Sequence, residues 1–254
     1  MSVIQLSIVI PAYNEEGSIA QTVSDLAKAL DTAQISFEII CANNCSKDKT
    51  AAIITELTAQ DPRIILVNTP ALQGYGIAVR TGLHHVKGEA VVICMADGCD
   101  KPEDVIAYYR ALTSGTYDCA FGSRFMVAGS IKGYPELKMH LNRAGNFLLR
   151  LMTGAKYDDF TNGFKCYRTD FLRSIGPFVC NQFNLTIEMS LKAVMAGGRY
   201  IVVPNSWEER AEGVSKFAVI RQSILYLITI FYLLLDRTLK QKAYETMRRN
   251  NITF

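Results

Sequence analysis

Four residues with specific chemistry crowd the first turn of this chain. Tyr13, Asn14, Glu15 and Glu16 bring an aromatic face, a carboxamide and two carboxylates directly after the apolar run Ile8-Val9-Ile10 and Pro11. Pro11 denies a strand one more ladder donor and fixes the turn. A ring for stacking and carboxylates for hydroxyl or N–H groups, at the carboxyl end of a strand, mark the place where open α/β sheets bind ligands. An ordinary strand-to-helix turn is the plainer reading, and it needs fewer such residues. Other chemistries are poorly supported. The first turn holds only Gly17, not the G-x-G-x-x-G of a dinucleotide site, and a P-loop is absent. Gly74-Tyr75-Gly76, after a third apolar run, is a weak phosphate-loop signal alone. Cys41, Cys45, Cys94 and Cys99 lack zinc spacing, and His84, His85 and His140 do not join them.

The elements that would position that turn alternate. Residues 5–10 read as a strand, and residues 17–30 as a helix with Ile19, Val23, Leu26 and Leu30 at helical spacing. Strands follow at 37–42, 63–67, Ala90–Met95 and Tyr117–Gly122, with helices between them. Ser46 or Asp48 caps the second helix, and Pro102, Glu103 and Asp104 open the fourth. This order predicts an α/β fold with a mostly parallel sheet. Beyond it come a loop over 123–135, a helix over 137–151, and shorter elements to about 211. The 254 residues, 49% hydrophobic, suffice for one large domain or two small ones, and no linker divides them. A net charge of +3 is too mild to argue for nucleic acid. The seven cysteines read as reduced, and no signal peptide is expected, which points to the cytoplasm.

Further motifs carry a resemblance. Leu72-Gln73-Gly74-Tyr75-Gly76-Ile77-Ala78, Phe121-Gly122-Ser123-Arg124, Asp159-Phe160-Thr161-Asn162-Gly163-Phe164-Lys165, Ile187-Glu188-Met189 and Arg210-Ala211-Glu212-Gly213-Val214-Ser215-Lys216 follow the first turn in order. Together they resemble the family-two inverting glycosyltransferases of the GT-A fold, in particular the dolichyl- and polyprenyl-phosphate mannose synthase type, over residues 5–217. The resemblance implies a nucleotide-diphospho-sugar donor contacted by Pro11, Tyr13, Glu15, Ala42, Asn44, Gly74 and Ala96, with Arg124, Arg210 and Lys216 at its diphosphate. It implies a lipid monophosphate acceptor held by Lys138, Asn142 and Arg143, with Asp159 orienting Arg143 or lining the sugar pocket, and Glu188 pairing with a basic residue or contacting sugar hydroxyls. Catalysis falls to Asp97, Arg124, Arg143 and Asp159. Transfer to a glycan or small metabolite, and a non-catalytic nucleotide-binding subunit, are the alternatives.

Two motifs depart from that family. Its Asp-Asp-Gly-Ser becomes Asn43-Asn44-Cys45-Ser46, and an amide both donates and accepts where a carboxylate only accepts, so base choice is loosened. Its Asp-Ala-Asp becomes Met95-Ala96-Asp97. A thioether is a poor ligand for Mg²⁺ or Mn²⁺, which leaves Asp97 as the metal carboxylate with Asp100 nearby. The carboxyl-terminal segment, 217–254, is set apart from the catalytic domain, 1–216. Ile224 to Leu235 would span only about 18 Å as a helix, against a hydrocarbon core of about 30 Å. With Arg237, Lys240, Lys242, Arg248 and Arg249 following, it reads as an amphipathic helix lying on a membrane surface. Burial against the domain, or in an interface between copies, is the other reading.

Overall fold

The structure is a computed structural model that describes residues 4–127, 131–132, 136–205, 207–208 and 219–249. Alternating side chains of the strands feed two cores, one on each sheet face. β1 (Leu6–Ala12), β2 (Phe37–Asn43) and β4 (Ala90–Ile93) are buried along their whole length, as strands covered on both faces must be. Leu6, Ile8 and Ile10 of β1 pack toward α1 (Ile19–Thr32) and α4 (Pro102–Thr113), while Val9 packs toward α3 (Tyr75–Leu83). α1 buries Ile19, Thr22, Val23, Leu26 and Leu30, the stripe its spacing predicts. α2 (Thr50–Gln60) and β3 (Ile64–Asn68) complete the first half.

The second half contains β5 (Cys119–Ser123), β6 (Ile131–Lys132), α5 (Glu136–Thr153), β7 (Lys165–Arg168), α6 (Thr169–Ser174), α7 (Leu185–Met195), β8 (Tyr200–Pro204), β9 (Trp207–Glu208) and α8 (Val219–Arg249). The main sheet has the order β3-β2-β1-β4-β7-β5-β8. Its pairings are parallel except those of β7, which runs antiparallel between β4 and β5. A mostly parallel GT-A-like α/β sheet is thus present, and the strand that separates β4 from β5 comes from the part of the chain where sequence patterning is weakest. β7 has functional weight: its first residue, Lys165, pairs with Ile93 and Phe121. The segment before it therefore reaches the same sheet edge as the carboxyl ends of β1, β2, β4 and β5.

β1 does not stop at Pro11, as the proline alone predicts, but continues through Ala12 beside β2. Val9 O accepts from Cys94 N at 3.0 Å, and β4 pairs with β1 only as far as Val9. Pro11 faces the same side, beyond β4's last pairing, so its missing N–H costs no ladder bond. All seven cysteines are unbridged.

Candidate active site

The turns after β1 and β2 are clasped to one another. Asn14 and Cys45 hold φ of 53° and 57°, left-handed values that asparagine tolerates better than most residues. Asn14 N donates to Ser46 Oγ at 3.1 Å, and Lys47 N returns a bond to Asn14 Oδ1 at 2.8 Å. Glu15 N donates to Thr50 Oγ1 at 2.8 Å, and Glu16 accepts from Lys49 N at 2.9 Å. Asp48 accepts from Thr50 N at 3.0 Å, satisfying the start of α2 from one residue before its Lys49 N-cap. Tyr13 and Glu15 stay half-buried on this clasp, and Pro11 is buried beneath it. Ser46, Asp48 and Thr50 are the support for that turn; in the sequence Ser46 and Asp48 were legible only as capping residues.

Asn44 sits at the end of β2, 4% exposed. Its Nδ2 donates to Thr69 Oγ1 at 3.0 Å and Leu72 O at 3.2 Å, and its Oδ1 accepts from Gly74 N at 2.8 Å. Both amide hydrogens are therefore committed to tying the 69–74 segment down, the turn-forming role that asparagine favours. Ala42 is fully buried in β2. Gly74 and Gly76 admit a neighbour of their own: a Cβ at Gly74 would lie 2.2 Å from Asn181 O, and one at Gly76 2.2 Å from Cys180 O. These glycines let backbone approach backbone, where the sequence pointed to backbone approaching ligand.

After β4 the chain turns through Gly98, whose φ is +73°. Cys99 N donates to Asp97 Oδ1 at 3.1 Å, and Thr22 Oγ1 donates to the carbonyl of buried Ala96 at 3.0 Å. Asp97 is half-buried, as is Met95 in the family's other metal position. Asp100 is buried and accepts from Met95 N at 2.8 Å. Burial pushes its carboxyl up to about 7; the Met95 N–H opposes the rise, Asp97 and Asp104 add to it, and Arg124 opposes it. Among the described residues no group of three or more His, Cys, Asp or Glu is placed to hold a metal ion. Asp97 fits a cation of the kind that takes one protein carboxylate and completes its shell with phosphate and water.

Arg124 follows β5 and meets Asp159. Nε donates to Oδ2 at 2.8 Å, Nη2 to Oδ1 at 2.7 Å, and Arg124 N to Oδ2 at 3.1 Å. The pair is 8% and 0% exposed. Asp159 orients Arg124, not Arg143 as one sequence reading had it. The pair is net neutral, so Arg124 offers a diphosphate less charge than a lone guanidinium would. Thr161 joins the pair to α5: Arg124 Nη2 donates to its Oγ1 at 3.3 Å, and Asn142 Nδ2 donates to it at 2.9 Å. Asn146 Nδ2 donates to Asn142 Oδ1, and Asn146 Oδ1 accepts from Phe160 N at 2.6 Å. Arg143, exposed, lies with its guanidinium carbon 5.0 Å from the Phe125 ring centroid, and Arg124 reaches the same ring at 5.8 Å. Phe125 and Asn146 were not singled out by sequence, although Phe125 is adjacent to Arg124.

Glu188 takes the pairing role: fully buried, it accepts from Val179 N and Cys180 N at 3.0 and 2.8 Å and bonds Lys192 at 2.8 Å. Lys165 is 1% exposed and donates to the carbonyls of Phe160 at 2.9 Å, Thr186 at 3.3 Å and Asn162. Burial pushes its amine down to about 7. Arg210 and Lys216 lie outside the described residues, as does the side chain of Lys138.

Residues 7–176 match the family described as Glycosyl transferase family 2. The chain belongs to that family. This family-two glycosyltransferase is 28% identical over 217 residues to the polyprenol monophosphomannose synthase of Mycolicibacterium smegmatis, covering 83% of this chain and 80% of the relative. It is 27% identical over 215 residues to the undecaprenyl-phosphate mannosyltransferase of Micrococcus luteus, covering 83% and 86%. Its fold is shared with glucosyl-3-phosphoglycerate synthase from Mycobacterium tuberculosis, solved with Mn²⁺, uridine diphosphate and phosphoglyceric acid. That match has a TM-score of 0.65 at 20% identity, over 92% of this chain and 78% of the other.

Proposed function

We propose that this glycosyltransferase moves a sugar from a nucleotide-diphosphate donor to a polyprenyl phosphate, by one in-line displacement with inversion, at the cytoplasmic face of a membrane. The observation that carries this reading is the convergence on one sheet edge of the clasped Tyr13–Glu15 turn, Asp97 and the Arg124–Asp159 pair. That pair is joined through Thr161 to Asn142, beside exposed Arg143. The two relatives named for polyprenol and undecaprenyl-phosphate mannosyl transfer support the acceptor class.

Pro11, Tyr13 and Glu15 would receive the nucleoside, with Ala42, Gly74 and Ala96 as backbone wall. The leaving diphosphate gains negative charge as the glycosidic bond breaks, so positioned cations lower the barrier. Arg210 and Lys216 of the sequence motif are the candidates to supply that charge, and Arg124, paired with Asp159, shapes the edge of the site. A divalent cation, Mg²⁺ or Mn²⁺, would be held by Asp97 together with the donor phosphates and would supply further charge neutralisation. Arg143, with Lys138 and Asn142, would hold the acceptor phosphate. A phosphate monoester oxygen is already anionic near neutral pH, so the step needs no histidine base. The exposed apolar stripes of α5 and α8 would lie on the lipid: Phe147 and Leu151 on α5, and Leu227 and Phe231 on α8, are each at least 60% exposed. Among the described residues no helix is long and apolar enough to cross a membrane.

The test is a panel of radiolabelled nucleotide sugars with undecaprenyl phosphate, followed by organic extraction. Label should enter the organic phase, and chelator should suppress it. Arg143→Ala should lower transfer by roughly 10- to 100-fold, the worth of a charge-assisted phosphate contact, while calorimetric nucleotide binding is retained. Label transferred only to water-soluble acceptors would overturn the reading.

A further inference from the structure

Away from this site, at the edge where β4 begins and β7 ends, lies a cavity of about 270 Å³. It opens between the carboxyl end of α3, α6 and the turn at Gly176–Phe178. Asp97 is six residues further along the chain from Val91 in the cavity wall, at most about 20 Å away. Leu83, Leu172 and Phe178 supply apolar wall, Arg80, His84 and Arg173 supply the polar part, and no acidic residue lines it.

The two guanidiniums are fixed in place but not neutralised. Arg80 donates through Nη1 to Phe178 O at 3.0 Å and through Nη2 to Asn181 Oδ1 at 2.5 Å. Arg173 donates through Nη2 to Val86 O at 2.8 Å. Each acceptor is an uncharged amide oxygen, and neither arginine forms an ion pair among the described residues. Arg80 is half-buried and Arg173 exposed, and these bonds limit the rotamers that their long side chains would otherwise sample. The volume falls just below the ~300 Å³ at which small-molecule pockets begin, and well above the ~150 Å³ void that holds one benzene.

We propose that this cavity is a binding site for a small amphiphilic anion, a carboxylate carried on a short acyl chain or an aryl ring. The apolar body would lie against Leu83, Leu172 and Phe178, and the carboxylate would meet Arg173 and Arg80, with His84 adjacent. A planar carboxylate matches the guanidinium fork, and an anion there meets charge that the protein itself leaves uncompensated. The site is separate from the donor and acceptor residues, so the proposal stands independently of the transfer reaction.

Octanoate is a suitable probe, titrated into the full chain by calorimetry with the Val91 methyl resonances followed in parallel. It should saturate one site, at least tenfold more tightly than acetate, and shift Val91. Arg173→Gln keeps a donor for Val86 O but removes the charge, and should weaken octanoate about tenfold while leaving octanol unchanged. Leu83→Trp should fill the cavity and abolish the Val91 shift. Arg80 is a poorer choice for substitution, because it also holds the Phe178–Asn181 turn that packs on Gly76. Absence of saturable binding, or undiminished octanoate affinity in either variant, would overturn the proposal.

Discussion

Arg124 and Asp159 are buried together, and a buried pair is most sensitive to losing one member. Asp159→Asn preserves shape but removes the carboxylate charge that faces a guanidinium 8% exposed. It should cost about 3–5 kcal/mol, seen as a lower urea midpoint. The double change with Arg124→Met should recover part of that loss, and an unshifted single-variant midpoint would mean the pair contributes nothing. Lys165 makes a pH-dependent contribution of opposite character. Its amine falls from 10.5 to about 7 in the folded chain. Below about pH 7 both states hold the proton and the full burial cost stands; between 7 and 10.5 the unfolded chain binds more protons, so stability rises with pH. From pH 7 to 9 the wild-type protein should gain up to about 1.4 kcal/mol per pH unit relative to Lys165→Met. Parallel stability profiles for the two proteins would refute this.

At the scale of elements, the 69–76 segment is held from both sides. Asn44 draws Gly74 N toward β2, and the backbone at Cys180 and Asn181 closes against Gly74 and Gly76. Gly74 has an extended φ of 162°, so it is required for space and not for a left-handed backbone. Gly74→Ala should therefore destabilise the protein by about 1–3 kcal/mol through overpacking against Asn181 O. Because Asn44 hangs on the same residue, nucleotide affinity should fall with it. A melting temperature and a nucleotide isotherm both equal to wild type would show that the segment yields freely. Glu188 reinforces this arrangement from α7 by binding the backbone of Val179 and Cys180.

At the scale of the molecule, α8 packs on the body along one side over its described side chains, 222–238, and exposes another. Leu233 is 1% exposed, and Asn184, the N-cap residue of α7, donates to Thr229 at 2.9 Å. Ile224, Leu227, Ile228, Phe231 and Leu235 recur on one helical face and are exposed. One face is thus buried against the domain, and the exposed face is the one we propose for the membrane surface. The pair Leu227→Glu and Phe231→Glu should reduce sedimentation with anionic liposomes several-fold at unchanged melting temperature. Full sedimentation of that variant would remove this face from membrane contact. By itself, the sequence determined the alternating β and α elements, the α1 stripe, the family and the candidate residues, because each rests on local periodicity or on residues contiguous in the chain. Only the tertiary structure decided that β7 inserts antiparallel beside β4, that Asp159 binds Arg124, that Asn44 is spent on Thr69, Leu72 and Gly74, and that Pro11 sits harmlessly within a strand. Each of these joins residues 25 or more apart, or depends on where a neighbouring strand ends. A hydrogen bond between distant residues leaves no period in the sequence; it exists only once the sheet order has brought its two ends together.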